Sequence, residues 1–175
     1  MNRQEDTLLQ DLPETFAALN EYKIKLNPDK CAFGVPAGQL LGYLVSARGI
    51  EADPEKIEAL LTMPPPTKLC EVQRLSGQIA APERFISKLG EMALPFYQLM
   101  KKTDKFEWTD ENQAAFVHLK HVLSTPPILV APAPKEIIFL YVATTNRVVS
   151  TVLLVERDEG KGHPVQRPIY YLNEV

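Results

Sequence analysis

Proline placement constrains this chain more than any other feature. Proline has no backbone donor and fixes φ at about −65°, so it breaks helix interiors and central strands. Fifteen prolines fall within 175 residues, and two clusters divide the sequence. Met63-Pro64-Pro65-Pro66 is expected to be a short extended connector. The segment 126–134, with Pro126, Pro127, Pro132 and Pro134, separates a helical pattern from a strand pattern and reads as a linker between two bodies. Four regions follow: 1–63, 64–125, the linker 126–134, and 135–175.

In the first region Asp11 and Glu14 have capping-box spacing, and Leu12, Phe16 and Leu19 recur at helical intervals. This predicts a helix from Asp11 to about Tyr22, with Pro13 in its first turn. Short apolar runs broken by glycines, Cys31 to Val35, Leu40 to Val45 and Gly49 to Glu51, predict a hairpin or meander of strands. Asp53 before Pro54 is an N-cap and N1 pair, and Ile57, Leu60 and Leu61 supply the apolar stripe of a short helix. In the second region a helix is expected from Thr67, burying Val72, Leu75 and Ile79 and ending near Pro82. Another covers Leu89 to Met100, and Thr109 caps a third with Ala115, Phe116, Leu119 and Leu123 as its core stripe. Beyond the linker, strands over 137–143, 148–156 and 168–172, with a turn at 158–162, predict three antiparallel strands in sequence order.

Composition excludes several classes of function. A hydrophobic share of 45% with 23% charged residues is that of a globular chain. The net charge of −3 excludes an all-over basic coat, so contact with a polyanion must be local. Only 64–108 carries more basic than acidic residues. The apolar run Ile137 to Ala143 is far shorter than the ~20 residues of a membrane span. Met1-Asn2-Arg3-Gln4-Glu5-Asp6 lacks the apolar core of a secretory signal, which gives the expectation of an intracellular address. Cys31 and Cys70 have no paired spacing, and His118 and His121 lack a carboxylate or cysteine to complete a metal set. Neither a glycine-flanked nucleophile nor a phosphate-binding glycine loop occurs, so no catalytic residue and no metal ligand is assigned.

The most informative surface lies on the helix from Thr67. Gln73, Gly77 and Ala81 fall at i, i+4 and i+8, away from the apolar stripe, and Lys68, Arg74, Arg84 and Lys88 surround them. Glycine inside a helix costs about 1 kcal/mol relative to alanine, so Gly77 needs a reason. Two remain open at this level: a neighbouring helix packs on it, or a nucleic acid approaches closely.

Several motifs occur in one order. Lys25-Leu26-Asn27-Pro28-Asp29-Lys30-Cys31, Leu41-Gly42-Tyr43-Leu44-Val45-Ser46, Gly49-Ile50, Asp53-Pro54-Glu55-Lys56-Ile57, Arg84-Phe85-Ile86 and Phe106-Glu107-Trp108-Thr109 together resemble the Pol polyprotein of gypsy-type LTR retrotransposons. The resemblance implies an α+β architecture: the end of the polymerase palm with a small hairpin over 1–63, a helical thumb and connection over 64–125, and a partial RNase H-like sheet over 135–175. Leu41, Gly42 and Tyr43 resemble the primer-grip hairpin. Gln73, Gly77 and Ala81 resemble the thumb face that tracks the duplex, with Lys68 and Arg74 as flanking contacts. Ala81 and Pro82 depart from the larger side chains frequent there, which implies a weakened grip.

The resemblance also implies missing chemistry. The family clamps magnesium between paired aspartates, and this chain begins after the place where that pair belongs. The first RNase H aspartate aligns with Ala143, in Ala143-Thr144-Thr145-Asn146, and a methyl group cannot ligate magnesium. The remaining RNase H carboxylates would lie beyond Val175. The expectation is a non-catalytic fragment or degenerate copy without a cofactor, retaining weak binding to a template-primer duplex or an RNA/DNA hybrid. A second expectation is an interaction module or inert relic that associates with itself or with an intact polymerase through exposed strands of 135–175. A third is that the sequence is an incomplete gene model of an active reverse transcriptase.

Overall fold

In the computed structural model, residues 5–101, 106–160 and 162–174 are described. The expectations for Met1 to Gln4, for Lys161 in the turn and for Val175 lie outside them. The fold is α+β, as the sequence predicts. Its helices are α1 (Glu5–Glu21), α2 (Pro54–Thr62), α3 (Leu69–Ala80), α4 (Leu89–Lys101) and α5 (Asp110–Leu123). Two antiparallel sheets accompany them, β1 (Ala37–Leu40), β2 (Tyr43–Ser46) and β3 (Gly49–Ala52), then β4 (Ile138–Thr144), β5 (Val149–Arg157) and β6 (Val165–Glu174), each in sequence order.

Several boundaries differ from expectation, two of them for clear local reasons. α1 starts at Glu5, so Asp11 is an interior residue whose carbonyl accepts the Thr15 hydroxyl at 3.0 Å, and Pro13 lies mid-helix. Cys31 to Val35 forms no strand. Cys31 closes the 3-10 turn Pro28–Lys30, Gly34 takes φ 65°, and Pro36 has no donor, so pairing begins at Ala37.

The core is helical. Val72, Leu75 and Ile79 from α3, Phe96 from α4 and Phe116, Leu119 and Leu123 from α5 are all buried. Trp108 stacks on Phe96 and meets Phe116 edge-on, both at 6.0 Å, while its indole N–H donates to Gln113. Asp53 caps α2 by accepting the Glu55 amide at 3.0 Å, and Thr109 caps α5 in a box with buried Asn112. Asn112 also donates to the Pro95 carbonyl, tying α5 to α4. At the other end of α2, the Lys120 ammonium donates to the Leu61 and Met63 carbonyls at 2.8 and 2.6 Å, placing a cation on the negative end of the helix.

The proline-rich segment is strapped to both sheets. Leu129 is buried and exchanges two backbone hydrogen bonds with Ile50 of β3, at 2.8 and 2.9 Å. The next amide, Val130, donates to the Pro168 carbonyl of β6. Gly49 makes this approach feasible: it adopts φ 139°, and a Cβ there would overlap the Leu129 carbonyl oxygen. Farther along, Arg157 of β5 forks onto Glu136 at 2.7 and 2.9 Å and donates to the Ala131 carbonyl at 2.9 Å. β6 in turn rests on the 3-10 turn Glu83–Phe85, with buried Asn173 donating to the Ile86 carbonyl at 3.0 Å.

Arg157, and after it the Ala133 amide, hold the Glu136 carboxyl at about 2, below its ordinary 4.5. A depressed folded-state value stabilises fully above the unfolded value and is lost as pH falls from about 4.5 to about 2. Acid unfolding followed by circular dichroism should therefore be less steep across that window for Glu136→Gln, which should also be less stable at neutral pH. Parallel acid limbs for variant and parent would show that this pin carries no stability.

Candidate nucleic-acid interface

The hairpin and α3 carry the residues singled out by sequence. β1 and β2 are joined by Leu41-Gly42 alone, since Leu40 pairs with Tyr43. Both turn residues have positive φ, 52° and 80°, the handedness that matches strand twist in a two-residue hairpin. Asparagine normally precedes glycine in such a turn. A leucine there is strained by about 1 kcal/mol or more, and this one is also 89% exposed.

Tyr43 plays a different part. It is half-buried, with its ring 5.7 Å from Phe85 and the Arg84 guanidinium 4.7 Å above it. The same guanidinium lies 5.4 Å from the Tyr170 ring of β6. Arg84 therefore does not line the α3 face as the sequence placed it. It joins hairpin, 3-10 turn and second sheet, and Tyr43 anchors the tip that Leu41 and Gly42 present.

On α3 the side opposite Val72, Leu75 and Ile79 exposes Cys70, Gln73, Arg74, Gly77 and Ala80. A Cβ at Gly77 would meet nothing within 4 Å, which removes helix packing as the reason for the glycine. Ala81 is half-buried as the C-cap, so the small stripe continues through Ala80 instead. Cys70 and Ala80 were missed because a strict i+4 reading drifts off the face, whereas alternating three- and four-residue steps follow it. Lys68 is exposed and pairs with Glu71 at 3.7 Å. The Thr67 amide, then its hydroxyl, hold the Glu71 carboxyl below its ordinary value, with Lys68 adding to them. Lys88 is exposed at φ 54°, and its carbonyl starts α4.

Magnesium does not fit the second sheet where the resemblance would place it. The row across that position is Ala143, Ser150 and Asn173, in which the Ser150 hydroxyl donates to the Asn173 side chain at 3.0 Å. It contains no carboxylate. Among the described residues no group of three or more His, Cys, Asp and Glu side chains could hold a metal ion.

The RNase H-like domain found in reverse transcriptase matches residues 108–171. Over 162 residues the chain is 34% identical to the retrovirus-related Pol polyprotein from transposon 412 of Drosophila melanogaster, covering 92% of the chain and 13% of that protein. It is 29% identical to the Pol polyprotein from transposon opus of the same fly, over 91% of the chain and 17% of that protein. An uncharacterised mitochondrial protein of Arabidopsis thaliana is 33% identical over 64% of the chain and 72% of its own length.

The chain is related to the retrovirus-related Pol polyproteins of transposons. It spans 13% and 17% of the two transposon Pol relatives. Its fold is shared with foamy viral protease-reverse transcriptase. One such structure, a complex with double-stranded DNA, matches the whole chain and 30% of its own with a TM-score of 0.79 at 19% identity. Another, with an RNA/DNA hybrid, matches the whole segment and 23% of its own chain with the same score of 0.79 at 18% identity.

The Arg84 stack should be measurable as stability. Arg84→Met keeps the aliphatic stem and removes both cation–π contacts, and should cost about 1–2 kcal/mol in thermal melts. Tyr43→Phe keeps both ring contacts and should melt close to the parent. A parent-like melt for Arg84→Met would remove Arg84 as the joint.

Proposed function

We propose that this stretch of Pol is a non-catalytic grip for a nucleic-acid duplex, either a template-primer or an RNA/DNA hybrid, held by phosphate and shape contacts without sequence readout. Leu41 and Gly42 at the hairpin tip and Lys68, Gln73, Arg74 and Gly77 on α3 make the contacts, and Tyr43 sets the tip. The observation that carries this reading is Gly77, an exposed mid-helix glycine with open space above it. Within the fold it only destabilises, whereas a close-approaching duplex would need the missing side chain. Leu41 supports it in the same way, strained and exposed at the tip. The foamy viral neighbours, solved with double-stranded DNA and with an RNA/DNA hybrid, are consistent with it. Ala143 in place of a carboxylate supports the non-catalytic part.

The test exploits the direction of two substitutions. Gly77→Ala should stabilise the fold by about 1 kcal/mol, and Leu41→Asn, which creates the favoured Asn-Gly turn, by a similar ~1 kcal/mol. Both should nevertheless weaken binding of a labelled hybrid in fluorescence anisotropy at low salt. Variants that are more stable and bind as well as the parent would sink the assignment, as would a parent that binds no duplex.

A second reading rests on β4. Ile138, Leu140, Tyr141 and Val142 are 48–62% exposed, and no charged residue guards this outer strand. Self-association through this edge should give a sedimentation mass that rises with concentration and falls for Leu140→Lys. A strict monomer at all concentrations would exclude it.

A further inference from the structure

We infer that Lys56 is a backbone-phosphate contact of the hairpin tip, a role that no motif in the sequence assigned to it. The inference rests on the duplex-binding reading above and adds a site to it.

The geometry begins with register. Tyr43 pairs with Ala52 across β2 and β3, so the residue before Tyr43 lies alongside the start of α2 at Asp53 and Pro54. Lys56, in the first turn of α2, lies over the hairpin tip. Its ammonium lies so near Gly42 that a Cβ built there would be 2.6 Å from Nζ. Gly42, at φ 80°, therefore leaves room for a cation over the turn as well as closing it.

Among the described residues that ammonium has no hydrogen-bond or ion-pair partner. Glu55 and Glu58 lie one and two positions away on α2, which turns them to other sides of the helix. Asp53, three positions before, is buried and engaged as the α2 cap. Of the other cations, Arg84 lies over two tyrosine rings and Arg48 pairs with Glu51 at 2.9 Å, while Lys68, paired with Glu71, and exposed Arg74 belong to α3. Lys56 is exposed, beside the 89%-exposed Leu41, and free to meet an anion arriving at the tip. A lysine is a point charge with three donors and suits a single phosphodiester oxygen better than a base edge. Bound there, a phosphate would hold the strand at the hairpin while the open face of α3 meets the duplex elsewhere.

The experiment is anisotropy of a labelled RNA/DNA hybrid with the full chain at about 50 and 200 mM salt. Each phosphate contact contributes about 0.9 to the slope of log K against log salt, so losing one should make the fall between these salts about threefold smaller. Lys56→Gln should show that smaller fall together with weaker binding at low salt, and Lys56→Arg should restore both. Acetylation footprinting of the unmutated chain gives a second readout: the hybrid should protect Lys56 and leave Lys135, on the strap, reactive. A parent that binds with salt dependence, a Lys56→Gln variant with the same affinity and slope, and an unprotected Lys56 would overturn this inference alone. A parent that does not bind at either salt would overturn the duplex reading and this site together.

Discussion

Everything in this segment hangs on a two-hydrogen-bond step between Ile50 and Leu129, residues far apart in sequence. It turns a proline-rich stretch with few donors of its own into a partial fourth strand beside β3 and sends the next amide on to β6. Gly49 is its precondition, since a side chain there would occupy the place of the Leu129 carbonyl. Without this step the first sheet would still meet the core through Ala52 and the Tyr43–Phe85–Arg84 contacts. The second sheet would keep its rest on the 3-10 turn after α3, through Asn173. The strap closes the circuit of helix bundle, first sheet and second sheet, and thereby sets where the hairpin tip stands.

A second joint works by charge rather than by backbone. Lys120 and Arg84 are both cations used inside the structure, one at the carbonyl end of α2 and the other between two tyrosines. In a chain of net charge −3 this matters for function, because every cation used internally leaves one fewer for a polyanion. The basic surface is consequently small. On the proposed duplex reading, counterion release from so few contacts would make binding weak and salt-sensitive.

Elements with a strong local cause were legible in the sequence. Asp53-Pro54 and Thr109 start their helices as the residues dictate, and the buried stripes of α3 and α5 fall where the period puts them. The three strands of the second sheet follow from their apolar runs and the glycine turn between them. What local pattern could not show was long-range pairing. Nothing in Ile128-Leu129-Val130 distinguishes a strap from a free linker, because its partners are Ile50 and Pro168. The same holds for the site: α3 periodicity exposed the Gln73 and Gly77 side, but Tyr43 as anchor, Arg84 as joint and Lys56 over Gly42 depend on how separate elements meet. Capping propensity misplaced the start of α1 for the opposite reason. Asp11 and Glu14 have cap spacing, yet helical residues precede them and the signal lies inside the helix.

Two of the positions that break local rules are those on which the functional reading turns. A sequence that specifies one structure agrees with itself at every level, and departures without structural compensation concentrate where function requires them. Gly77 gives up about 1 kcal/mol of helix stability with nothing packed above it. Leu41 holds a left-handed conformation that asparagine or glycine would take more easily, and it holds an apolar side chain in water. Neither departure has a beneficiary within the fold, in contrast to Gly49, whose positive φ and missing side chain are both used by Leu129. Gly49 thus builds the segment, whereas the missing side chain of Gly77 has no use within it.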